Sequence, residues 1–288
     1  MTAFPLRFFL LFTLVAVAGC QPAAENVVTY EVKGVVQSLR DERTIVIDHE
    51  EIPGYMAKMI MPFKVKDPTE IAGLKPGQEV SFDYQVQEFA SWIENVEPTG
   101  ETGSVAEALE PDPEAEDELV AVGELLPDYG FLDEFGEDEW ISDHLGQPVV
   151  LTFVFTRCPM PEYCPRMMTH FKKVDDLLKA DPQAPADYQL LTVSFDSFED
   201  TPELMKQYGE AYDYSPTNWS LLTSDNCCTI NDLAANVGLL FGEVDGGSYR
   251  HNLRTVVLDG EGRITKYFND EAWSPEELVA AIKAADAT

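Results

Sequence analysis

The stretch FVFTRCPMPEYCPRMMTHF, residues 153–171, decides how the second half of this chain reads. An apolar run stops. Cys158 and Cys164 follow, with Pro159, Pro161 and Pro165 around them, and then a helical pattern begins. The run QPVVLTFVFT (147–156) is nearly continuous in apolar residues, as a strand covered on both faces should be. Loops at the carboxyl ends of such strands are where open α/β sheets build sites. Cys164 falls at or just before the helix start, where the helix dipole favours an anion, so its thiol pKa is expected to fall. The prolines stiffen the loop and pre-organise two sulfurs. Three uses remain open at this point: a structural disulfide, a redox couple or a metal clamp.

Working outward, strands alternate with helices. YQLLTVSFD (188–196) reads as a second buried strand and TPELMKQYGEAY (201–212) as a helix opened by Thr201 and Pro202. INDLAANVGL (230–239) is a third helix. RTVVLDGEGRITKYF (254–268) is a hairpin around Asp259-Gly260, and SPEELVAAIKAA (274–285) is a terminal helix with Ser274 as N-cap and Glu277 at N3. This order predicts a thioredoxin-like α/β domain over 125–288.

Residues 27–97 differ. VVTYEVKGVVQSL, RTIVIDHEEI, QEVSFDYQVQ and SWIENVEP are short alternating runs divided by turn signals such as RDER and KPGQ. A small all-β barrel is expected there. Between the two, 98–124 is acidic and rich in Pro, Gly and Ala, and reads as an extended self-repelling linker. It would let the two domains meet and raise their effective concentration.

The chain has 288 residues with 52 acidic against 19 basic, a formal net charge of −33. Such a surface repels a phosphate backbone, which argues against a nucleic-acid partner. Residues 1–20, MTAFPLRFFLLFTLVAVAGC, carry Arg7 before an apolar run too short to span a bilayer comfortably. The ending VAGC resembles the bacterial lipobox. That implies an exported chain whose Cys20 becomes the lipidated first residue, anchored to a membrane facing the periplasm; Gln21 after it favours the outer membrane. Export permits disulfides, but a domain of this size does not need them for stability.

With PVVLTFVFTRCPMPEYCPRM, VSFDSFEDTPELMKQY and YRHNLRTVVLDGEGRI in this order, the chain from about Leu126 to Ala284 resembles the Sco/SenC family of copper proteins. The resemblance implies a thioredoxin-like fold and one copper held by two cysteines and a histidine, here Cys158, Cys164 and His251. It also implies delivery of copper to a copper-accepting protein such as a cytochrome c oxidase subunit, or thiol-disulfide exchange at that subunit's site with thiol-disulfide reductants as partners. The family's common spacing has three residues between the cysteines; here Pro159 to Tyr163 make a longer loop. Two thiolates and an imidazole suit Cu(I) and can also hold Cu(II).

A second soft-donor stretch is HEEIPGYMAKMIMPF (49–63). Met59 and Met61 alternate, so on a strand they share a face. Thioethers with an imidazole select Cu(I) over hard cations. The stretch resembles the CusF-type periplasmic copper-binding domain, which implies His49, Met59 and Met61 as ligands. The family's covering tryptophan falls on Met56, beside Tyr55, so either Met56 is a further ligand or Tyr55 supplies the cover.

The combined expectation is an exported copper-binding metallochaperone, with a thiol-disulfide oxidoreductase or a copper tolerance and storage protein as alternatives. Asp196 and Asp200 read either as a polar rim beside the site or as an acidic loop capping the next helix. Cys227-Cys228 is either a vicinal disulfide, a metal pair or two free, partly buried thiols. His144 and His170 read as surface residues. Met167 and Met168 read as helix packing, and Met160 as an extra soft ligand in the cysteine loop.

Overall fold

The computed structural model describes residues 27–87, 90–106, 118–244, 248–270 and 272–286. The leader and Cys20 lie outside the described residues. Five antiparallel strands come first: β1 (Val28–Leu39), β2 (Thr44–His49), β3 (Met59–Lys64), β4 (Gln78–Val86) and β5 (Ser91–Thr102), in sheet order β3-β2-β1-β4-β5. The two edges meet where Val65 bridges Ile93 in parallel and the Lys66 amide donates to the Ile93 carbonyl at 3.0 Å. That contact closes the sheet into the small all-β barrel expected from the alternation, of the OB-like kind that the CusF-type resemblance implies. Alternate residues of β3, namely Met59, Met61 and Phe63, turn inward, while Ile60 and Pro62 are only half-buried. Gly34 stands opposite His49, and a Cβ there would collide with Ile47, the Asp48 carbonyl and the His49 Cα. A side chain at this point would hold β1 away from β2.

A short hairpin of β6 (Gly130–Leu132) and β7 (Asp138–Trp140) leads into the second unit. Then come β8 (Val149–Val154), α1 (Cys164–Ala180), β9 (Gln189–Ser194), α2 (Pro202–Glu210), β10 (Trp219–Leu222), α3 (Cys227–Val237), a hairpin of β11 (Phe241–Val244) and β12 (Ser248–His251), and finally β13 (Arg254–Leu258), β14 (Ile264–Asn269) and α4 (Pro275–Asp286). The sheet order is β10-β9-β8-β13-β14, with β8, β9 and β10 parallel and β13 and β14 antiparallel additions. Both β8 and β9 are buried at every position, as central strands covered on both faces are. The α4 capping box is present: Glu277 N–H donates to Ser274 Oγ at 3.2 Å, and Ser274 N–H donates to Glu277 Oε2 at 2.7 Å.

Three sequence expectations shift. Strand β5 continues to Thr102, so the segment from 98 begins as strand rather than linker. Its far end is also held, since the Val120 amide donates to Asn236 O and the Gly123 amide to Ile264 O. His144 and His170 are half-buried rather than superficial. His144 Nε2 lies 2.7 Å from Glu139 Oε1, while His170 packs edge-on against Trp273 and burial lowers its pKa to about 4.

Candidate metal centre

The cluster at the end of β8 is assembled from three separate elements. Cys158 lies four residues beyond β8, Cys164 opens α1, and His251 ends β12. Their ligand atoms all lie within 4.8 Å of one another. Donors about 2.0–2.3 Å from one soft ion stand about 4 Å apart when three surround it, so the group fits a metal. Both cysteines are free thiols, Cys164 buried and Cys158 half-buried. The longer loop therefore does bring its two sulfurs together.

The electrostatics reverse the expectation for Cys164. Burial pushes its pKa well above the ordinary thiol value, and the hydrogen bond it gives Cys158 adds to this. Burial acts upward on Cys158 as well, but hydrogen bonds from Cys164 and His251 outweigh it and hold Cys158 well below the ordinary range. The thiolate is thus Cys158, and the residue at the helix start keeps its proton. The helix dipole loses to desolvation because Cys164 is fully enclosed.

His251 Nδ1 lies 2.7 Å from the Asn252 carbonyl oxygen. A carbonyl only accepts, so Nδ1 carries a proton, and Nε2 is the nitrogen left to face the sulfurs or a metal. Phe195, Phe155 and Tyr163 surround the ring, with centroids 4.9, 5.7 and 5.6 Å away.

Asp196 and Asp200 are 1% exposed, so neither forms an open rim. The cap of α2 is Thr201, not an aspartate. Asp200 instead accepts from the Thr156 amide, Thr156 Oγ1 and Ser194 Oγ, tying the loop after β8 to β9. Asp196 accepts from Arg157 at 2.6 Å and from Tyr249 Oη at 3.1 Å, which joins the cysteine loop to the His251 hairpin. Two buried carboxylates thus position the loop that carries Cys158 and the hairpin that carries His251. Only their acidity was visible in sequence, not these partners. Cys227 and Cys228 are exposed and free at the start of α3, where the Asn226 side chain accepts from the Cys228 amide at 3.0 Å. They are neither buried nor disulfide-linked.

The barrel holds the second group. His49 pairs directly with Met59 across β2 and β3, and Met61 opposes Ile47 on the same face. His49 is fully buried, and Met56, Met59 and Met61 belong to the same core. His49 Nδ1 lies 2.6 Å from the Glu50 carbonyl oxygen, which again assigns the proton to Nδ1. Nε2 is buried with no partner. An unpaired buried imidazole nitrogen beside thioethers fits a soft cation, because leaving it unpaired is otherwise costly. Tyr55 stacks on Tyr30 at 4.7 Å rather than standing over this group alone, and its hydroxyl donates to the Pro159 carbonyl at 2.8 Å. Contacts between the two units, invisible in the sequence, centre on the cysteine loop.

A thioredoxin-like layer with a Cys-Cys-His cluster beyond its central strand defines a protein that handles soft metals or thiols. Residues 120–286, more than half of the chain, match the family model SCO1/SenC, and the chain belongs to that family. Residues 29–98 match the model for the copper binding periplasmic protein CusF. Among solved structures, the chain is similar to a SCO1/SenC family lipoprotein from Bacillus anthracis str. Ames, at 23% identity over 56% of this chain and 94% of that one, with a TM-score of 0.51. It is similar also to a putative electron transfer protein from Aquifex aeolicus VF5, at 24% identity over 58% and 95%, TM-score 0.51. A third likeness, at 22% identity over 57% and 94% with TM-score 0.50, is to BsSco, a member of the Sco family of cytochrome c oxidase assembly proteins in which a disulfide switch was identified. These likenesses carry the thioredoxin-like fold. No curated protein matches the chain.

Proposed function

We propose that the chain is an exported copper-binding metallochaperone that supplies copper for assembly of the cytochrome c oxidase copper site. The observation that carries this reading is the convergence of Cys158, Cys164 and His251 within 4.8 Å, with Cys158 held as a thiolate. Its membership in the SCO1/SenC family and the CusF match over residues 29–98 support copper as the cargo. Cys158, Cys164 and His251 are the ligands at the thioredoxin-like domain. His49, Met59 and Met61 are those of the barrel, with Met56 beside them. Binding at the first site releases the Cys164 proton. A Cys158–Cys164 disulfide would have no thiolate to offer, so redox state gates loading and reductants become natural partners. Lipidation at Cys20 would hold both sites at a membrane facing the periplasm.

Copper stoichiometry tests the reading. The reduced soluble chain lacking residues 1–20 is expected to bind two copper ions, and its Cys158→Ala, Cys164→Ala variant one. Equal stoichiometry would remove the cysteines from the ligand set.

A thiol-disulfide oxidoreductase is the second reading. The split between a low-pKa Cys158 and a high-pKa Cys164 favours it, because an exchanging couple needs one ready nucleophile.

A further inference from the structure

Met160 sits between Pro159 and Pro161 in the loop that separates the two cysteines, yet it is only 7% exposed. It is not buried in its own domain. It packs within the barrel core, the same cluster that holds Met56, Met59 and Met61. Its Sδ lies 3.8 Å from the Tyr84 hydroxyl, which also hydrogen-bonds Ser91 Oγ. The residues around it lock this placement. The Pro159 carbonyl accepts from Tyr55 Oη at 2.8 Å, and the Glu162 carboxylate accepts from the Ser91 amide. Glu162 is 5% exposed, and its bond to the Ser91 amide ties the loop to the barrel. Strand β12, which carries His251, lies beside β3, which carries Met59 and Met61. Cys158 and Tyr163 touch the cores of both units.

The barrel meanwhile has a deficit. His49 Nε2 is desolvated with no partner, and Met59 stands opposite His49 across the β2–β3 pair. One imidazole and two thioethers leave room for a further soft donor, and Met56 and Met160 are the remaining thioethers of this core. We propose that Met160 is that donor: the segment between the two cysteines carries a third sulfur into the barrel's copper site, across the domain interface. The proposal rests on the barrel being a copper site. It gives the longer loop a use, since the same segment closes the cysteine cluster and reaches the barrel. It also links metal to docking. Copper bound in part by Met160 favours the closed arrangement, and closure favours copper by the same factor. Barrel copper then lies beside the loop that leads on directly from Cys158.

The test uses the chain without residues 1–20 in a background of Cys158→Ala, Cys164→Ala, Cys227→Ser and Cys228→Ser, so that only the barrel binds. Cu(I) affinity by chelator competition and the sulfur coordination number by X-ray absorption are compared with and without Met160→Leu. Leucine keeps the apolar bulk and removes the sulfur; thermal melting of the apo proteins confirms that packing is kept. The expected result is about tenfold weaker Cu(I) binding in the leucine variant, with one nitrogen and three sulfurs falling to one nitrogen and two. Equal affinity and an unchanged sulfur number would overturn the proposal and leave the barrel site standing. Failure of both proteins to bind Cu(I) would overturn the barrel site itself, and the proposal with it.

Discussion

The two donor groups share one device and differ in one variable. In each, a histidine gives its Nδ1 proton to the carbonyl of the next residue, Glu50 after His49 and Asn252 after His251. Each ring thereby presents Nε2 to sulfur. The barrel then adds thioethers, which carry no proton, from a β2–β3 pair whose register is fixed by the sheet. The thioredoxin-like domain adds thiols, which must lose protons, from a loop and a helix start. A thioether site is therefore rigid and indifferent to pH and thiol redox state, whereas a dithiol site can be switched by both. Paired on one chain, the barrel suits holding copper and the dithiol suits giving it on condition.

The comparison breaks first at the histidines. His49→Ala is expected to cost the barrel its copper while the thioredoxin-like site keeps its own. His251→Ala is expected to weaken copper at the cysteines by about 100-fold yet leave dithiol-disulfide exchange with a small-molecule disulfide largely intact. Stoichiometry and exchange rate measured on both variants decide it. Loss of exchange together with copper at His251→Ala would favour the oxidoreductase reading instead.

A tenfold effect per pH unit is expected next, at one site only. Cys164 holds its proton through neutral pH because its pKa is raised by burial and by its bond to Cys158. Copper must expel that proton, so affinity at the cysteines rises about tenfold per unit between about pH 6 and 8. Burial lowers the His49 pKa, against the opposing bond to Glu50, so its imidazole stays neutral below the usual histidine range. The barrel's affinity is therefore flat over the same window. Competition titrations at three pH values on single-site variants measure both slopes, and parallel slopes would remove the distinction.

Backbone packing supplies a smaller effect. Gly34→Ala places a methyl against Ile47, the Asp48 carbonyl and the His49 Cα. Overpacking of this kind costs about 1–3 kcal/mol, and it should lower the barrel's stability without touching the cysteine cluster. Chemical denaturation of the chain, with copper binding followed at each site, separates the two.

Much of this was legible in the residues. Period-two runs marked the barrel strands, the unbroken apolar run marked β8, and Ser274 with Glu277 marked α4. The soft donors stood out because their residue types are few and closely spaced. What escaped depended on burial and on distance along the chain. The helix dipole at Cys164 was predictable, but its enclosure, which wins, was not. Asp196 and Asp200 looked like ordinary surface acids because their partners Arg157, Tyr249, Thr156 and Ser194 lie on other elements. The docking of Met160 into the barrel left only one trace in sequence, a thioether set between two prolines.

The smallest expected effect sharpens what makes a cysteine pair a site. Cys227 and Cys228 are adjacent, exposed and free, and the charge of Cys227 raises the pKa of Cys228. They have nearby sulfur, as Cys158 and Cys164 do. They lack a histidine among their ligand-distance neighbours: among the described residues, the one group of three or more such side chains is Cys158, Cys164 and His251. Nor does burial hold them in place, and water competes at both sulfurs. Cys227→Ser with Cys228→Ser should therefore change stability by no more than about 0.5 kcal/mol, as exposed substitutions generally do. Copper bound under reducing conditions should remain at two ions per chain. A third ion in the parent that disappears in this variant would show that adjacency alone is enough to hold copper, and that the histidine and the enclosure set affinity rather than occupancy.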